Sequence, residues 1–333
     1  MLNGFFWGTK MLSCSIIIPT KNRKDDLQET FKSILKQTVS PKEVIVVDDS
    51  DNDLTEDLIE KNRKCFTRKA IPLIYLQGKT GNKSISAARN IGARASSGDI
   101  ICFIDDDVIL DTSFLKETLS VYEYYENAKG VQGYIINWRP RSILSNAISR
   151  VCFNFPREFF EKDKCRAFPF SYPYPPTKVI ECEWLVGVNS SYKREIFKEF
   201  EFDESLKGYS MCEDIDLSYR ICKKYAHSLY LSPFAKIIHK QSPAARSSAR
   251  KFMIVLMSYP TYFFYKNVRQ NLKNNIIFYW GFFVGRLIPK LLTKDPNEIL
   301  LLIRADLMAL RHWTEIKHGK FDSVIQAFLS IKE

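Results

Sequence analysis

Ile100-Ile-Cys-Phe-Ile-Asp105-Asp106-Asp107 is an apolar run that stops in three consecutive carboxylates. A continuous apolar run bounded by polar residues reads as a strand buried on both faces, as in a parallel sheet covered by helices. The acids then stand at the strand's carboxyl end. Open α/β sheets bind their ligands there, and clustered carboxylates can hold a divalent cation against phosphates. The structural alternative for the triplet alone is a solvated turn that caps the next helix.

The chain before this strand repeats the pattern. Ser15-Ile-Ile-Ile-Pro-Thr20 is a short buried strand, and residues 25–35 place Leu27, Phe31 and Ile34 on one helical face. Glu43-Val-Ile-Val-Val-Asp48-Asp49 is a second such strand, with a helix expected over 54–63. A third runs through Ile71-Pro-Leu-Ile-Tyr-Leu76, followed by a Gly/Asn/Ser loop and a helix over 84–95. Strands and helices alternating at these lengths predict a parallel sheet with right-handed crossovers. Thr20, Asp48/Asp49 and Asp105 to Asp107 then converge on one edge, which fits a mononucleotide or nucleotide-sugar site.

Beyond the triplet, 130–136 reads as a strand. The stretch containing Phe168-Pro-Phe-Ser-Tyr-Pro-Tyr-Pro-Pro176 reads as a long aromatic loop, either a lid or a pinned surface loop. Residues 184–191 read as a strand running into a turn, and 193–200 as a helix. Glu213-Asp-Ile-Asp-Leu-Ser-Tyr-Arg220 opens an amphipathic helix. Asp214, Leu217 and Ile221 share one face; Glu213, Asp216 and Arg220 share another. Asp214 can therefore face inward, where a carboxylate has a raised pKa. Acids in a first turn also simply complement the helix dipole. His239 ends a short strand pattern, as a functional or a structural histidine.

Composition sets the frame. The 333 residues are 45% hydrophobic and 26% charged, enough for one large domain plus an appendage. The cysteines lack metal or disulfide spacing and read as reduced core residues of a cytoplasmic protein. The first ten residues lack the pattern of a secretory signal, and Met11 is an alternative start. From Lys236 onward there are 16 lysines and arginines against 6 acids, +10 of the total +11. That asymmetry points to an anionic surface, lipid or nucleic acid, meeting the C-terminal part. The apolar, aromatic stretches 252–265 and 276–292 are interrupted by Pro260, Arg286 and Pro289 and make poor membrane spans. With Lys266, Arg269, Lys273, Lys290 and Lys294 beside them they read as interfacial segments on an anionic leaflet, the alternative being helices packed on the core.

The ordered set Ile-Pro-Thr-Lys-Asn-Arg23, Val-Asp-Asp49, Ser-Ala-Ala-Arg-Asn-Ile-Gly92, Asp105-Asp-Asp107, Gly187-Val-Asn189 and Glu213-Asp-Ile-Asp-Leu217 resembles the family-2 inverting glycosyltransferases of the GT-A fold, over residues 13–239. The resemblance implies an α/β, Rossmann-like, mostly parallel sheet flanked by helices. Residues 11–240 would form the glycosyltransferase domain, with a nucleotide-sugar half at 11–110 and an acceptor and base half at 130–240. Residues 241–333 would form a basic, helical, membrane-apposed extension. It implies transfer of a sugar from a nucleoside-diphosphate sugar to a hydroxyl, with Mg or Mn as cofactor; the basic, aromatic tail favours a glycan or lipid-linked acceptor and a peripheral place on the inner face of the cell membrane, with no nucleic-acid partner expected. By similarity, Thr20, Arg23, Asp49, Arg89 and Asp105 would contact the nucleotide. Gly187, Asn189 and Glu213 would contact the donor or acceptor sugar, Asp107 and His239 would bind the metal, and Asp214 would be the catalytic base. The common Asp-Asp-Gly-Ser turn is Asp48-Asp49-Ser50-Asp51 here, and the triplet's register is open between Asp105/Asp107 and Asp106.

Two other classes share part of this pattern. A nucleotidylyltransferase would share the α/β half but places a glycine-rich loop after the first strand, where this chain has Pro-Thr-Lys-Asn-Arg. A non-catalytic polyanion-binding protein would use the basic tail alone.

Overall fold

The computed structural model describes residues 12–78, 84–138, 176–207, 211–243, 248–285, 287–288, 291 and 295–331. The expected aromatic loop falls outside these except for Pro176.

The apolar runs form strands because alternate residues bury on opposite faces. In β1 (Cys14–Thr20) and β2 (Glu43–Asp48) every residue is buried. Ile16, Ile18, Val44 and Val46 enter one core with Phe31 and Phe66, whose rings meet edge-on at 5.2 Å. Ile17, Ile45 and Val47 enter a second core with Ile101, Phe103 and Trp184. α1 (Lys24–Ile34) buries Leu27, Phe31 and Ile34, the face expected from the sequence. α2 (Leu54–Arg68) runs past its expected end, and α3 (Ile85–Ala95) is capped by Ser84, whose Oγ accepts from Ala87 N at 3.1 Å.

β3 (Leu73–Gln77), β2, β1 and β4 (Ile100–Phe103) are all mutually parallel. Thr20 is in register with Asp48, and Asp48 with Gln77, so the polar strand ends do share one edge. The remaining strands are β5 (Val108–Leu110), β6 (Gly130–Ile135), β7 (Ile180–Cys182), β8 (Ser190–Lys193) and β9 (Leu229–His239). Among the described residues they complete a nine-stranded sheet in the order β3-β2-β1-β4-β8-β6-β9-β5, with β7 beside β9. β5 and α4 (Phe114–Tyr124) have no counterpart in the sequence reading.

One expectation reverses. Residues 184–188 are not a strand: a 3-10 turn at Gly187–Asn189 comes first, the strand is Ser190–Lys193, and a 3-10 helix at Arg194–Lys198 stands where a longer helix was expected. β8 fits antiparallel between β4 and β6 and fills both of their free edges, so long-range pairing overrides local apolarity.

The C-terminal region is helical: α5 (Glu213–Lys224), α6 (Ala249–Asn267), α7 (Leu272–Tyr279) running into a π-helical turn at Trp280–Val284, α8 (Pro296–Arg311), α9 (Trp313–Lys317) and α10 (Phe321–Leu329). Here the reading of 252–265 as an interfacial segment is corrected. Met253, Ile254, Met257, Tyr259, Phe263 and Phe264 of α6 are buried in a third core with Leu302, Phe321 and Phe328. A helix that is apolar on most sides is buried when other helices surround it. This core extends to Leu206 and to Ile215 and Tyr219 of α5, so the extension packs on the helix that carries Asp214.

Candidate active site

β4 delivers Asp105, Asp106 and Asp107 to the polar edge, where Asp106 turns one way and Asp105 and Asp107 another. Asp106 is buried and turned toward β1. Its Oδ2 accepts from Thr20 Oγ1 at 2.8 Å, and its Oδ1 lies 3.1 Å from Arg23 Nη1. Burial pushes its carboxyl up to about 7 even though Arg23 opposes the shift. Thr20 and Arg23, expected at the nucleotide, are thus both engaged with Asp106; Arg23 also reaches Asp107 Oδ2 at 3.6 Å. Asp49, at the end of β2, is buried under Gly78. A Cβ on that glycine would lie 1.7 Å from Asp49 Oδ1, so a larger residue would have to displace the Asp49 carboxylate.

Asp105 and Asp107 point elsewhere. The antiparallel pairing of Val108 with His239 brings His239 alongside, with Nε2 3.2 Å from Asp107 Oδ1. Asp107 Oδ2 accepts from Ser242 N at 2.9 Å. Burial alone would raise this carboxyl, but His239, the Ser242 N–H and Arg23 hold it below the usual carboxylate range. One ligand atom each from Asp105, Asp107 and His239 lies within 4.8 Å of the others. Two carboxylate oxygens and an imidazole nitrogen suit a hard or borderline divalent cation such as Mg or Mn. The donor set therefore fits such an ion.

Arg89 joins this cluster to the helix opposite. It is 1% exposed, with Nη1 2.9 Å from Glu213 Oε1 and Nη2 3.1 Å from both Asp105 Oδ1 and Gly187 O. Burial opposes its charge, yet Asp105 and Glu213 outweigh burial and keep the guanidinium cationic. Arg89, which the resemblance puts at the nucleotide, is buried and bonded to three partners, Glu213, Asp105 and the Gly187 carbonyl. Gly187 has a similar structural reason, since a Cβ there would come 2.8 Å from Arg89 Nη2. Its carbonyl accepts from Arg89 and its N–H donates to Asp214 Oδ2 at 2.7 Å.

Asp214 sits in the first turn of α5, after Cys212 turns the chain at φ +70°, a left-handed conformation uncommon outside glycine. Ile215 N donates to its Oδ1 at 2.8 Å. Burial raises its pKa while the Gly187 N–H opposes the shift. Burial and the neighbouring Asp214 push Glu213 up to about 7 in spite of Arg89. The second face of α5 is covered as well: Asp216 accepts from Lys266 Nζ at 3.0 Å and from Asn267 Nδ2 at 2.8 Å of α6. Asn189 is fully buried beside Gly133, and among the described residues neither of its amide atoms has a hydrogen-bond partner. The burial of Arg89 and the Asp106–Thr20–Arg23 cluster were not legible in the sequence, where a basic residue between small ones gives no sign of burial.

The α/β sheet, with a carboxylate and imidazole cluster at its strand ends facing acids at a helix start, has the GT-A fold. The family model described as glycosyl transferase family 2 matches residues 15–199, more than half the chain, and the chain belongs to that family. The nucleotidylyltransferase and polyanion-binding alternatives are set aside by that membership. The chain is 24% identical to a glucosyl-dolichyl phosphate glucuronosyltransferase of Haloferax volcanii over 69% of each chain. It is 27% identical to a validoxylamine A glucosyltransferase of Streptomyces hygroscopicus over 65% of this chain and 48% of that one. The chain thus spans about two thirds of one curated relative and about half of the other. Among solved structures, a mannosyltransferase of Pyrobaculum calidifontis in complex with GDP-Man and Mn2+ superposes with a TM-score of 0.57 at 17% identity, over 98% of this chain and 89% of that one. TarS of S. aureus gives 0.53 at 19% identity, over 97% of this chain and 56% of that one. These likenesses establish the fold. Among the described residues no helix is long and apolar enough to cross a membrane.

Proposed function

We propose that the protein transfers a sugar, with inversion, from a nucleoside-diphosphate sugar to a hydroxyl of a glycan or lipid-linked acceptor at the inner face of the cell membrane. The observation that carries this reading is the convergence of Asp105, Asp107 and His239 beside a buried arginine that also grips the acid preceding Asp214.

Asp214 is the general base. Its carboxylate is held by the Gly187 and Ile215 N–H groups, and burial raises its affinity for a proton. As the acceptor oxygen bonds to the anomeric carbon, the carbon–oxygen bond to the diphosphate breaks. The acceptor proton passes to Asp214, and the electron pair leaves with the nucleoside diphosphate. Asp105, Asp107 and His239 would hold Mg or Mn, which supplies charge neutralisation for the departing diphosphate. Arg89 fixes Asp105 for the donor and Glu213 at the edge of the sugar position, and Gly187 aligns Asp214. Asp49 and Gly78 frame the place of the base and ribose.

Thermal shift against nucleoside diphosphates and nucleotide sugars, with and without Mn, tests the reading. One nucleotide class is expected to raise the melting temperature, more so with the metal, because ligand binding favours the native state. A protein indifferent to every nucleotide with metal present overturns it.

A further inference from the structure

Among the described residues the third core carries a second, exposed apolar surface. On α8, Leu300, Ile303, Leu307 and Leu310 are exposed, Leu307 to 60%, while Leu302, Ala305, Met308 and Ala309 of the same helix are buried. The exposed set recurs at intervals of three and four and forms one continuous stripe on the side away from the core. On α7, Leu272, Ile276, Tyr279 and Trp280 are exposed in the same way, Leu272 to 78% and Trp280 to 53%.

One residue of each stripe, Tyr279 and Leu310, lines the same cavity. A cavity of about 340 Å³ is lined by Tyr279 and Phe278 on one side and by Leu310 and Trp313 on the other, with Tyr265 at its floor. The Tyr265 and Tyr279 hydroxyls are hydrogen-bonded, and the Tyr265 and Trp313 rings lie 6.1 Å apart. Two tryptophans and a tyrosine on an aliphatic surface are the composition favoured where a protein meets the headgroup region.

Charge decides the occupant. Lys317 Nζ stands 5.5 Å from the Tyr265 ring and 5.8 Å from the Trp313 ring, and the exposed Arg311 follows Leu310 directly. Arg269 and Lys273 are exposed at the start of α7. At the start of α8, Asp295 accepts from Asn297 N and Glu298 N as the helix cap. A second copy of the chain would bring the same cations to the same face and be repelled. An anionic bilayer pairs with the cations and takes up the apolar stripe.

We propose that the joined α7 and α8 face, Leu272 to Trp280 with Leu300 to Trp313, docks on an anionic lipid bilayer, the stripe entering the interface and the cations engaging headgroups. It moves the contact from 252–265, which is core, to a stripe that includes α8. The assignment rests on the membrane-side reading above. Lipid binding is measured without donor or acceptor, so its failure leaves the transfer chemistry standing, whereas a failed nucleotide screen leaves the docking face standing.

The test is co-sedimentation of the full chain with vesicles of phosphatidylglycerol and phosphatidylcholine, against phosphatidylcholine alone, at low and high salt. Binding to the anionic vesicles is expected to be at least about tenfold tighter, to weaken with salt and to persist in part, because the apolar contribution is not screened. Leu307→Glu on α8 and Ile276→Glu on α7 are each expected to weaken binding about tenfold. Both positions are exposed, so melting temperatures should be unchanged, and should one variant fail to fold the other carries the test. Equal binding to both vesicle types, no binding to either, or wild-type binding by the folded variants overturns the proposal. So does sedimentation of the lipid-free chain as a dimer that Leu307→Glu dissociates, which would assign the face to a second copy.

Discussion

Glu213 Oε1 lies 2.9 Å from Arg89 Nη1, and the same guanidinium reaches Asp105 Oδ1 at 3.1 Å. One buried cation therefore ties the carboxylate at the end of a strand to a carboxylate at the start of a helix. Both halves of the site keep their spacing through it. Truncating Arg89 leaves Glu213 buried beside Asp214 with no compensating charge. Arg89→Met is expected to cost about 3–5 kcal/mol, and Glu213→Gln added to it should restore part of the loss. Urea unfolding of the single and double variants measures this; a single change below about 1 kcal/mol would show that Arg89 does not hold the two halves together.

Asp107 contributes one oxygen toward His239 and the other to the Ser242 N–H. Asp107→Asn keeps the shape and the Ser242 hydrogen bond but lowers the charge facing a cation. Calorimetric titration of the preferred nucleotide with Mn should show affinity reduced at least about tenfold and the metal dependence largely gone. Unchanged affinity and metal response would remove Asp107 from the metal site.

Asp214→Asn tests the base. The amide oxygen still accepts from Gly187 N, so donor binding should hold while transfer falls about 100-fold or more, since an amide cannot take the acceptor's proton. Turnover within a few-fold of the wild type would move the role to another acid.

The anchoring of the extension predicts a pH effect. Asp203 accepts from Lys266 Nζ at 2.6 Å, Tyr262 Oη at 2.7 Å and Ser205 Oγ at 2.6 Å. Burial alone would raise its carboxyl, but these donors hold it well below the usual range. A carboxylate with a depressed folded pKa stabilises the protein fully above its unfolded pKa of about 3.9, and the contribution is lost as pH falls through the folded value. Asp203→Asn is expected to cost about 1–3 kcal/mol at neutral pH, with the difference from wild type shrinking below about pH 4. Melting curves across that range check it, and a difference that does not change with pH would exclude the ionised pairing.

Strands β1 to β4 and β6, their order along the chain and the edge that carries the acids were legible in the sequence. A strand buried on both faces must be apolar throughout and must stop where the chain meets water, so Ile100 to Ile104 and the carboxylates after it record their own surroundings. The face that puts Leu27 and Phe31 inward is likewise a local period. Pairings between distant segments left no such record. Asp107 meets His239 only because β5 runs antiparallel to β9, and the three-residue β5 is too short to show in the pattern. Arg89 looks like any basic residue on a helix until the 3-10 turn at Gly187 and the start of α5 close over it. The C-terminal helices make the same point about surfaces. A helix that is apolar on most sides reads alike whether it lies in a core or on a lipid face, and only packing decided that Tyr259 and Phe264 are enclosed while Leu307 and Trp280 are left outside.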